Sequence, residues 1–262
     1  MASLLGDIGT YAWCRRRAGR MTVAEQARYA ASVLLETCRS SPRILLARLG
    51  LRGGGHDPSE YAPPDSALVR HAFDACADLD PMLVQHGIRS YLFARALGQR
   101  DGVRCDPEAL FLAALLHDYA FPGPATTDPR CFAFAGAEAA REILDGMSPG
   151  AVRGIQNAIT LHLNPRVPRS QGAVPHLLHA GVMADVVGIR MWHLDPSGVE
   201  RVLLRHPRHR FSTRAPAGFR AHGLRVPAGR ARMAWRCGFG YAMHLGPWPA
   251  HEARTRACAG AR

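Results

Sequence analysis

The sequence predicts an all-α protein, and three observations carry that prediction. Apolar residues recur at the three- and four-residue spacing of a buried helix face, and capping signals precede most of these stretches. No segment of useful length alternates apolar and polar residues as a half-buried strand does. At 262 residues, 47% of them hydrophobic, the chain can form one sizeable core. We therefore expect a helical bundle.

The predicted helices can be placed in order from their first residues. Thr22 and Glu25 form a capping box that opens a helix to about Cys38. Three further starts combine an N-cap residue with proline at the first helical position, namely Asp106-Pro107, Ser148-Pro149 and Asp195-Pro196. The helix from Asp195 is the last that the pattern supports. Turn residues in 53–58 and 119–124 predict loops, and we expect the second loop to form a wall or lid of a pocket.

A His-Asp dipeptide stands at the end of an apolar helical run. His117 and Asp118 follow Glu108-Ala-Leu-Phe-Leu-Ala-Ala-Leu-Leu, which predicts a fully buried helix. Burying a carboxylate beside an imidazole costs free energy unless both are paired, and a bound cation is a common partner. The dipeptide therefore predicts a metal site.

Two more polar residues lie in apolar helical stretches and complete a ligand set. His86 lies in 81–93 and Asp185 lies in 177–189. With His117 and Asp118 they offer two imidazoles and two carboxylates. This mixed set suits Zn, Mn or Fe and is too rich in nitrogen for calcium. Taken singly, His86 is more typical of a hydrogen-bonded core histidine, and Asp185 of a buried partner of an arginine.

The order of these residues resembles the HD-domain metal-dependent phosphohydrolase superfamily, whose pattern is His, then His-Asp, then a distal Asp. The resemblance runs from about Asp65 to about His206 and is nearest to the cyanamide hydratase-like branch. The segments that carry it are 84–93, 112–118, 136–141, 158–162 and 181–185. The chain departs from the family with Gln85 and Gly87 around the first histidine, with Tyr119-Ala120 after His-Asp, and with Ala133 where a Glu is common.

The resemblance implies an HD-domain-like helical bundle with one catalytic divalent metal ion (Zn, Fe or Mn) held by His86, His117, Asp118 and Asp185. A metal-activated water would then attack a small-molecule substrate. We expect Asp118 or His162 to move the proton and Arg89 to steady negative charge. Arg89 has an alternative role in an ion pair, and His162 an alternative role as a core histidine. Hydration of a small unsaturated nitrogen compound and hydrolysis of a phosphate ester both stay open, as does a non-catalytic metal- or ligand-binding scaffold.

Other titratable residues carry weaker predictions. His176 and His179 stand three residues apart before Asp185 and are candidates for a second metal, or for the outer helix face. Glu138 is typical of a surface helix acid. The second His-Asp dipeptide, at residues 56 and 57, lies in a Gly/Pro loop, so we expect it to be solvated.

The charge is concentrated near the C-terminus. The chain has a net charge of +12 and contains no lysine, which excludes P-loop and Schiff-base lysine chemistry. Residues 200–262 hold 13 Arg against 2 acids, whereas residues 1–199 hold 20 Arg against 19 acids. Together with the resemblance, which implies an HD-like metal-binding domain over residues 58–205, this predicts an N-terminal helical extension (1–57) and an Arg-rich tail (206–262).

The tail has two interpretations. Pro and Gly interrupt its candidate helices, so we expect a solvated, poorly ordered segment that is not a native C-terminus. The alternative is a basic arm that contacts nucleic acid through arginines interleaved with aromatic residues.

The cellular setting is predicted from cysteine usage and hydropathy. Seven scattered cysteines form no Cys-x-x-Cys pair, which favours a reducing compartment. Apolar residues precede the Arg15-Arg16-Arg17 cluster, the reverse of a signal peptide, and no run is long enough for a membrane span. We expect a soluble, cytoplasmic protein without a membrane partner, and homo-oligomers stay open.

Overall fold

The computed structural model describes residues 4–48, 55–121 and 128–260, and it confirms the predicted fold class. The described residues form thirteen α-helices and no β-strand. Across them, no helix combines the length and the apolar character needed to cross a membrane. In chain order the helices are α1 Tyr11–Arg17, α2 Val23–Arg48, α3 Ala67–Ala75, α4 Pro81–Asp101, α5 Pro107–Leu116, α6 Phe132–Ile143, α7 Pro149–Leu161, α8 Ala173–Val187, α9 Pro196–Arg205, α10 Phe211–Arg225, α11 Arg230–Arg236, α12 Phe239–Leu245 and α13 Trp248–Gly260.

The predicted helix starts are confirmed by their caps. In the capping box of α2, the backbone N–H of Glu25 donates to the Thr22 hydroxyl at 3.2 Å, and the N–H of Thr22 donates to the Glu25 carboxylate at 2.7 Å. The N-cap side chains of α5, α7 and α9 likewise accept a hydrogen bond from the first turn. The predicted end of α2 is wrong, because the helix passes through Pro42 and continues to Arg48. A proline removes one backbone hydrogen bond, and here that loss does not end the helix.

Two glycines allow three helices to approach closely around the predicted ligands. A Cβ atom at Gly87 on α4 would lie 2.6 Å from the carbonyl oxygen of Ala114 on α5. A Cβ atom at Gly181 on α8 would lie 2.0 Å from the carbonyl oxygen of Ser90 on α4. Real side chains do not tolerate such contacts, so only glycine fits at both positions. The close packing holds α4 against both neighbours and brings residues distant in sequence to one place.

The segment predicted as a poorly ordered tail is helical, so that expectation is wrong. Residues 211–260 form α10 to α13, even though Pro216 lies inside α10. One face of α10 carries Phe211, Ala215 and Phe219, and all three are buried in the hydrophobic core. Tertiary packing of this apolar face outweighs the unfavourable local signal of proline.

A second hydrophobic cluster joins the two ends of the chain. It contains Trp13 and Tyr29 from the N-terminal helices, Phe132 from α6, and Phe219 and Ala234 from the C-terminal helices. The main cluster contains the buried faces of α3 to α9. The N- and C-terminal helices therefore pack together beside the central bundle.

Candidate metal centre

Three of the four predicted ligands converge in the structure. His86 projects from α4, and His117 and Asp118 follow the last residue of α5. The Nε2 atoms of the two histidines are 3.2 Å apart, and Asp118 Oδ2 lies 3.4 Å from His117 Nε2 and 3.8 Å from His86 Nε2. All three residues are buried. Among the described residues, these are the His, Cys, Asp or Glu side chains whose ligand atoms lie close enough together that they could hold one metal ion.

The hydrogen bonds on the far side of each ring fix which ring nitrogen carries the proton. His117 Nδ1 lies 2.7 Å from the carbonyl oxygen of Ala114, which only accepts, so Nδ1 is the donor. His86 Nδ1 lies 2.6 Å from a carboxylate oxygen of Asp185 and is likewise the donor. Burial lowers the pKa of His86, which favours a neutral ring, although its bond to Asp185 acts in the opposite direction.

Two imidazole Nε2 atoms and a carboxylate oxygen therefore face one another inside the protein. In neutral rings that donate through Nδ1, each Nε2 offers a lone pair and no proton. Two acceptors at 3.2 Å beside an anionic oxygen repel one another unless a cation or a proton lies between them. This donor set fits a divalent metal ion of the Zn, Fe or Mn kind, and three protein ligands leave room for water or substrate.

His162, predicted as a proton carrier, lies beside this cluster. It follows the last residue of α7, and its Nδ1 lies 2.6 Å from the carbonyl oxygen of Ile159. Its Nε2 is 3.7 Å from Asp118 Oδ1. Burial, followed by the neighbouring His117, keeps the pKa of His162 well below its ordinary value. His162 is thus a neutral histidine whose lone pair points at Asp118.

Asp185, predicted as the fourth ligand, holds a different position. Its Oδ2 accepts a hydrogen bond from His86 Nδ1, on the side of the ring opposite to the convergence point, and its carboxylate oxygens lie outside the converging group. Arg89 and Arg208 bind the same carboxylate. Burial raises the pKa of Asp185, but the charges of these arginines outweigh burial, and the pKa lies well below its ordinary value. The structure thus does not bring Asp185 into the converging group, and its ionised carboxylate is instead hydrogen-bonded to the His86 ring.

Arg89, predicted to contact substrate, is a structural ion pair. Its Nε and Nη2 donate to the two oxygens of Asp185 at 2.8 and 2.9 Å. Its Nη1 donates to the carbonyl oxygens of His206 and Pro207 at 3.1 and 2.9 Å. The residue is 0% exposed, and each of its three nitrogen atoms donates to one of these groups. Its alternative role, an ion pair with a nearby acid, is the one the structure has.

Two residues of the C-terminal segment that the sequence did not predict extend this network. Arg208 Nη1 donates to Asp185 Oδ1 at 2.5 Å, and Arg208 Nε donates to Glu252 Oε1 on α13 at 3.0 Å. The Arg208 guanidinium also lies 4.6 Å from the centre of the Trp248 ring. A chain of charges thus runs from α13 to His86. Nothing in the local sequence around Arg208 distinguishes it from the other arginines nearby.

A cavity of about 550 Å³ adjoins the cluster. His86, His117, Asp118 and His162 line it, and the Phe211 ring lies 4.5 Å from the His86 ring. Phe121 from the predicted loop 119–124 also lines the cavity, whereas residues 122–124 of that loop lie outside the described residues.

The remaining candidates bind elsewhere. His176 Nδ1 and His179 Nε2 each lie within hydrogen-bond distance of a backbone carbonyl oxygen, that of Val167 at 2.7 Å and that of Asn164 at 2.8 Å. Both histidines thus contact the backbone of the loop that follows α7, and neither belongs to the converging cluster.

The second His-Asp dipeptide, at residues 56 and 57, and Glu138 lie outside the converging cluster. His56 is exposed, as expected, and Asp57 pairs with Arg201. Glu138, expected on the surface, is half-buried and accepts a hydrogen bond of 2.5 Å from the Tyr11 hydroxyl.

Comparisons with known protein-family models and with curated proteins found no match to this chain.

Proposed function

We propose that this protein is a metal-dependent hydrolase or hydratase of the HD superfamily that acts on a small molecule. One divalent metal ion (Zn, Fe or Mn) would be held by His86 Nε2, His117 Nε2 and Asp118 Oδ2. The observation that carries the proposal is the 3.2 Å separation of two Nε2 atoms whose rings donate through Nδ1, with a carboxylate oxygen beside them. A cation removes the repulsion that this buried arrangement otherwise suffers.

The chemistry divides between the ion and the side chains. When bound, a divalent ion supplies Lewis-acid activation of a water molecule and of the substrate's electrophilic centre. Asp118 can accept a proton at Oδ1, the oxygen that faces His162. The His162 ring is neutral and its Nε2 lies 3.7 Å from that oxygen, and we propose that it relays the proton within the cavity. Asp185 and Arg89 keep the His86 ring oriented.

The proposed membership of the HD superfamily rests on the order His, His-Asp, Asp and on the helical context of these residues. The all-α fold and the convergence of three of the four residues support it. The position of Asp185 behind His86 departs from the ligand set that the resemblance implies.

The alternative of a nucleic-acid-associated protein gains no support from the two buried arginines of the C-terminal segment. Arg208 and Arg230 are buried, with 4% and 0% exposure, and bind groups inside the fold. They contribute to the core and cannot contact phosphates on a surface.

We also propose a cytoplasmic location, which the free thiols of Cys14, Cys38, Cys76, Cys105, Cys131 and Cys237 support.

The experiment is an activity screen of the purified full chain with Mn, Fe, Co or Zn. Two substrate panels, nitriles or cyanamides and phosphate monoesters, separate hydration from phosphate release. We expect metal-dependent turnover that His117→Ala and Asp118→Ala abolish. His56→Ala is the matched control, because His56 belongs to the other His-Asp dipeptide and is exposed.

A folded, metal-loaded protein that turns over neither panel would contradict catalysis and favour the alternative of a metal-binding scaffold. Turnover that survives both substitutions would assign the activity to a different site.

A further inference from the structure

The 550 Å³ cavity is lined by the candidate metal centre and by residues of α12. His86, His117 and Asp118 are at most 9% exposed, whereas Tyr241 and Leu245 of α12 are 76% and 56% exposed. The lining therefore includes both buried and solvent-exposed residues, and the cavity volume is in the range of sites for drug-sized ligands, about 300–1,000 Å³. This is far more space than a molecule of a few atoms, such as cyanamide, requires.

The walls of the cavity are mainly apolar and carry many aromatic rings. The lining includes five phenylalanines, Phe121, Phe132, Phe211, Phe219 and Phe239, together with aliphatic and methionine side chains of α8 and α12. Phe211, Ala215 and Phe219 follow one another at four-residue spacing along α10, so a single helix presents a continuous apolar stripe to the cavity. Ala215 leaves space between the two rings.

The walls lack the cations that bind phosphate. The chain has 33 arginines, yet none of the described residues that line the cavity is an arginine. The two acids of the lining are Asp118 and Glu36, and Glu36 pairs with Arg39 at 2.7 Å. Proteins bind phosphate esters with guanidinium or ammonium groups, and an unpaired phosphate in an apolar site loses its hydration without compensation.

We infer that the substrate is an uncharged, largely apolar molecule with one polar, electrophilic end, such as a nitrile or an amide. The apolar body lies along the α10 stripe, and the polar end lies against His86, His117 and Asp118. This inference rests on the proposed function and selects, between its two substrate classes, the uncharged one. In hydration of a nitrile, the water oxygen bonds to the nitrile carbon as one C–N π bond breaks, and one proton of the water reaches the nitrogen to give an imidic acid. Transfer of the remaining hydroxyl proton to the nitrogen replaces the second C–N π bond by a C=O bond and gives the amide.

The test compares two probes that differ in charge and share one apolar body, 4-phenylbutyramide and 4-phenylbutyl phosphate. Binding is measured by calorimetry to the full chain after dialysis against a chelator, so that the walls are probed without attraction of the phosphate to a metal. We expect the amide to bind at least 10-fold more tightly than the phosphate. Acetamide, which lacks the apolar body, is expected to bind at least 10-fold more weakly than 4-phenylbutyramide.

A pair of variants on one helix locates the binding. Ala215→Phe fills the apolar stripe and is expected to weaken amide binding at least 10-fold. The matched control is Ala217→Phe on the exposed face of α10, which should bind as the wild type does. Equal or tighter binding of the phosphate overturns the inference, and so does unchanged amide binding by a folded Ala215→Phe protein. If Ala215→Phe fails to fold, the two probes on the wild type decide the question.

Failure of this inference is distinguishable from failure of the proposed function. Metal content is measured on a separate sample of the same protein. Amide binding without metal uptake supports the substrate class and contradicts the metal-dependent reaction. Metal uptake together with tighter binding of the phosphate supports the metal-dependent reaction and contradicts the substrate class.

Discussion

Replacing Asp185 by asparagine removes the charge at the centre of the buried network. Asp185 is 0% exposed and accepts hydrogen bonds from His86 Nδ1, from Arg89 Nε and Nη2, and from Arg208 Nη1. Asparagine keeps one acceptor oxygen, and its amide NH₂ group would face guanidinium donors. Arg208 keeps Glu252 as a partner, whereas Arg89 keeps only carbonyl oxygens among the described residues.

The expected loss of stability follows from the charge of Arg89, which Asp185→Asn leaves without a carboxylate partner. Breaking a buried ion pair by removing one partner costs about 3–5 kcal/mol, and we expect Asp185→Asn to lower the free energy of unfolding by that amount. Urea titration monitored by circular dichroism measures it. The matched control is Asp7→Asn, because Asp7 forms an ion pair with Arg16 at the surface, where both side chains are about 60% exposed. Its loss is expected to be below about 1 kcal/mol. A loss below about 1 kcal/mol in Asp185→Asn would refute the account of the network.

Three other predictions concern packing and pH. Gly87→Ala forces a Cβ to 2.6 Å from a backbone oxygen and is expected to destabilise the protein by about 1–3 kcal/mol, whereas Gly154→Ala in open space on α7 should stabilise it by about 0.5–1 kcal/mol. A similar melting temperature for both would contradict the close approach of α4 and α5. Leu112 lies buried in α5, and Leu112→Ala is expected to lower the free energy of unfolding by about 2–5 kcal/mol in chemical denaturation. The control Leu224→Ala, at an exposed position, is expected to lower it by less than about 1 kcal/mol. Comparable losses in the two variants would argue against this packing. Burial lowers the pKa of His179 from 6.5 to about 4. Between these two pH values, His179 is therefore protonated in the unfolded chain and neutral in the folded chain. Stability is therefore expected to fall by about 2 kcal/mol from pH 7 to pH 5 through this residue. Urea titrations at both pH values check this, and an equally steep fall in His179→Gln would show that other groups cause it.

The sequence predicted the parts of the fold that local signals determine. The N-caps at Thr22, Asp106, Ser148 and Asp195 depend on residues within one helical turn, and all four are present. The convergence of His86 with His117 and Asp118 was predictable because each stands at a buried position where an unpaired polar group is costly.

The parts that the sequence could not predict depend on contacts between distant segments. The helices after residue 206 form because Phe211 and Phe219 are buried against other helices, which no local pattern indicates. Arg89 and Asp185 pair across 96 residues, and Arg208 and Glu252 complete that network from the C-terminal segment. Which carboxylate lies beside the converging histidines and which pairs with arginines is decided by this three-dimensional arrangement.

The most direct test of the central claim is the metal content of the purified full chain by elemental analysis. We expect near-stoichiometric Zn, Fe or Mn in the wild type and in His56→Ala after incubation with the metal, and loss of that metal in a folded His117→Ala protein. A folded wild type that takes up no metal would contradict the account, and the converging histidines would then be only a part of the core.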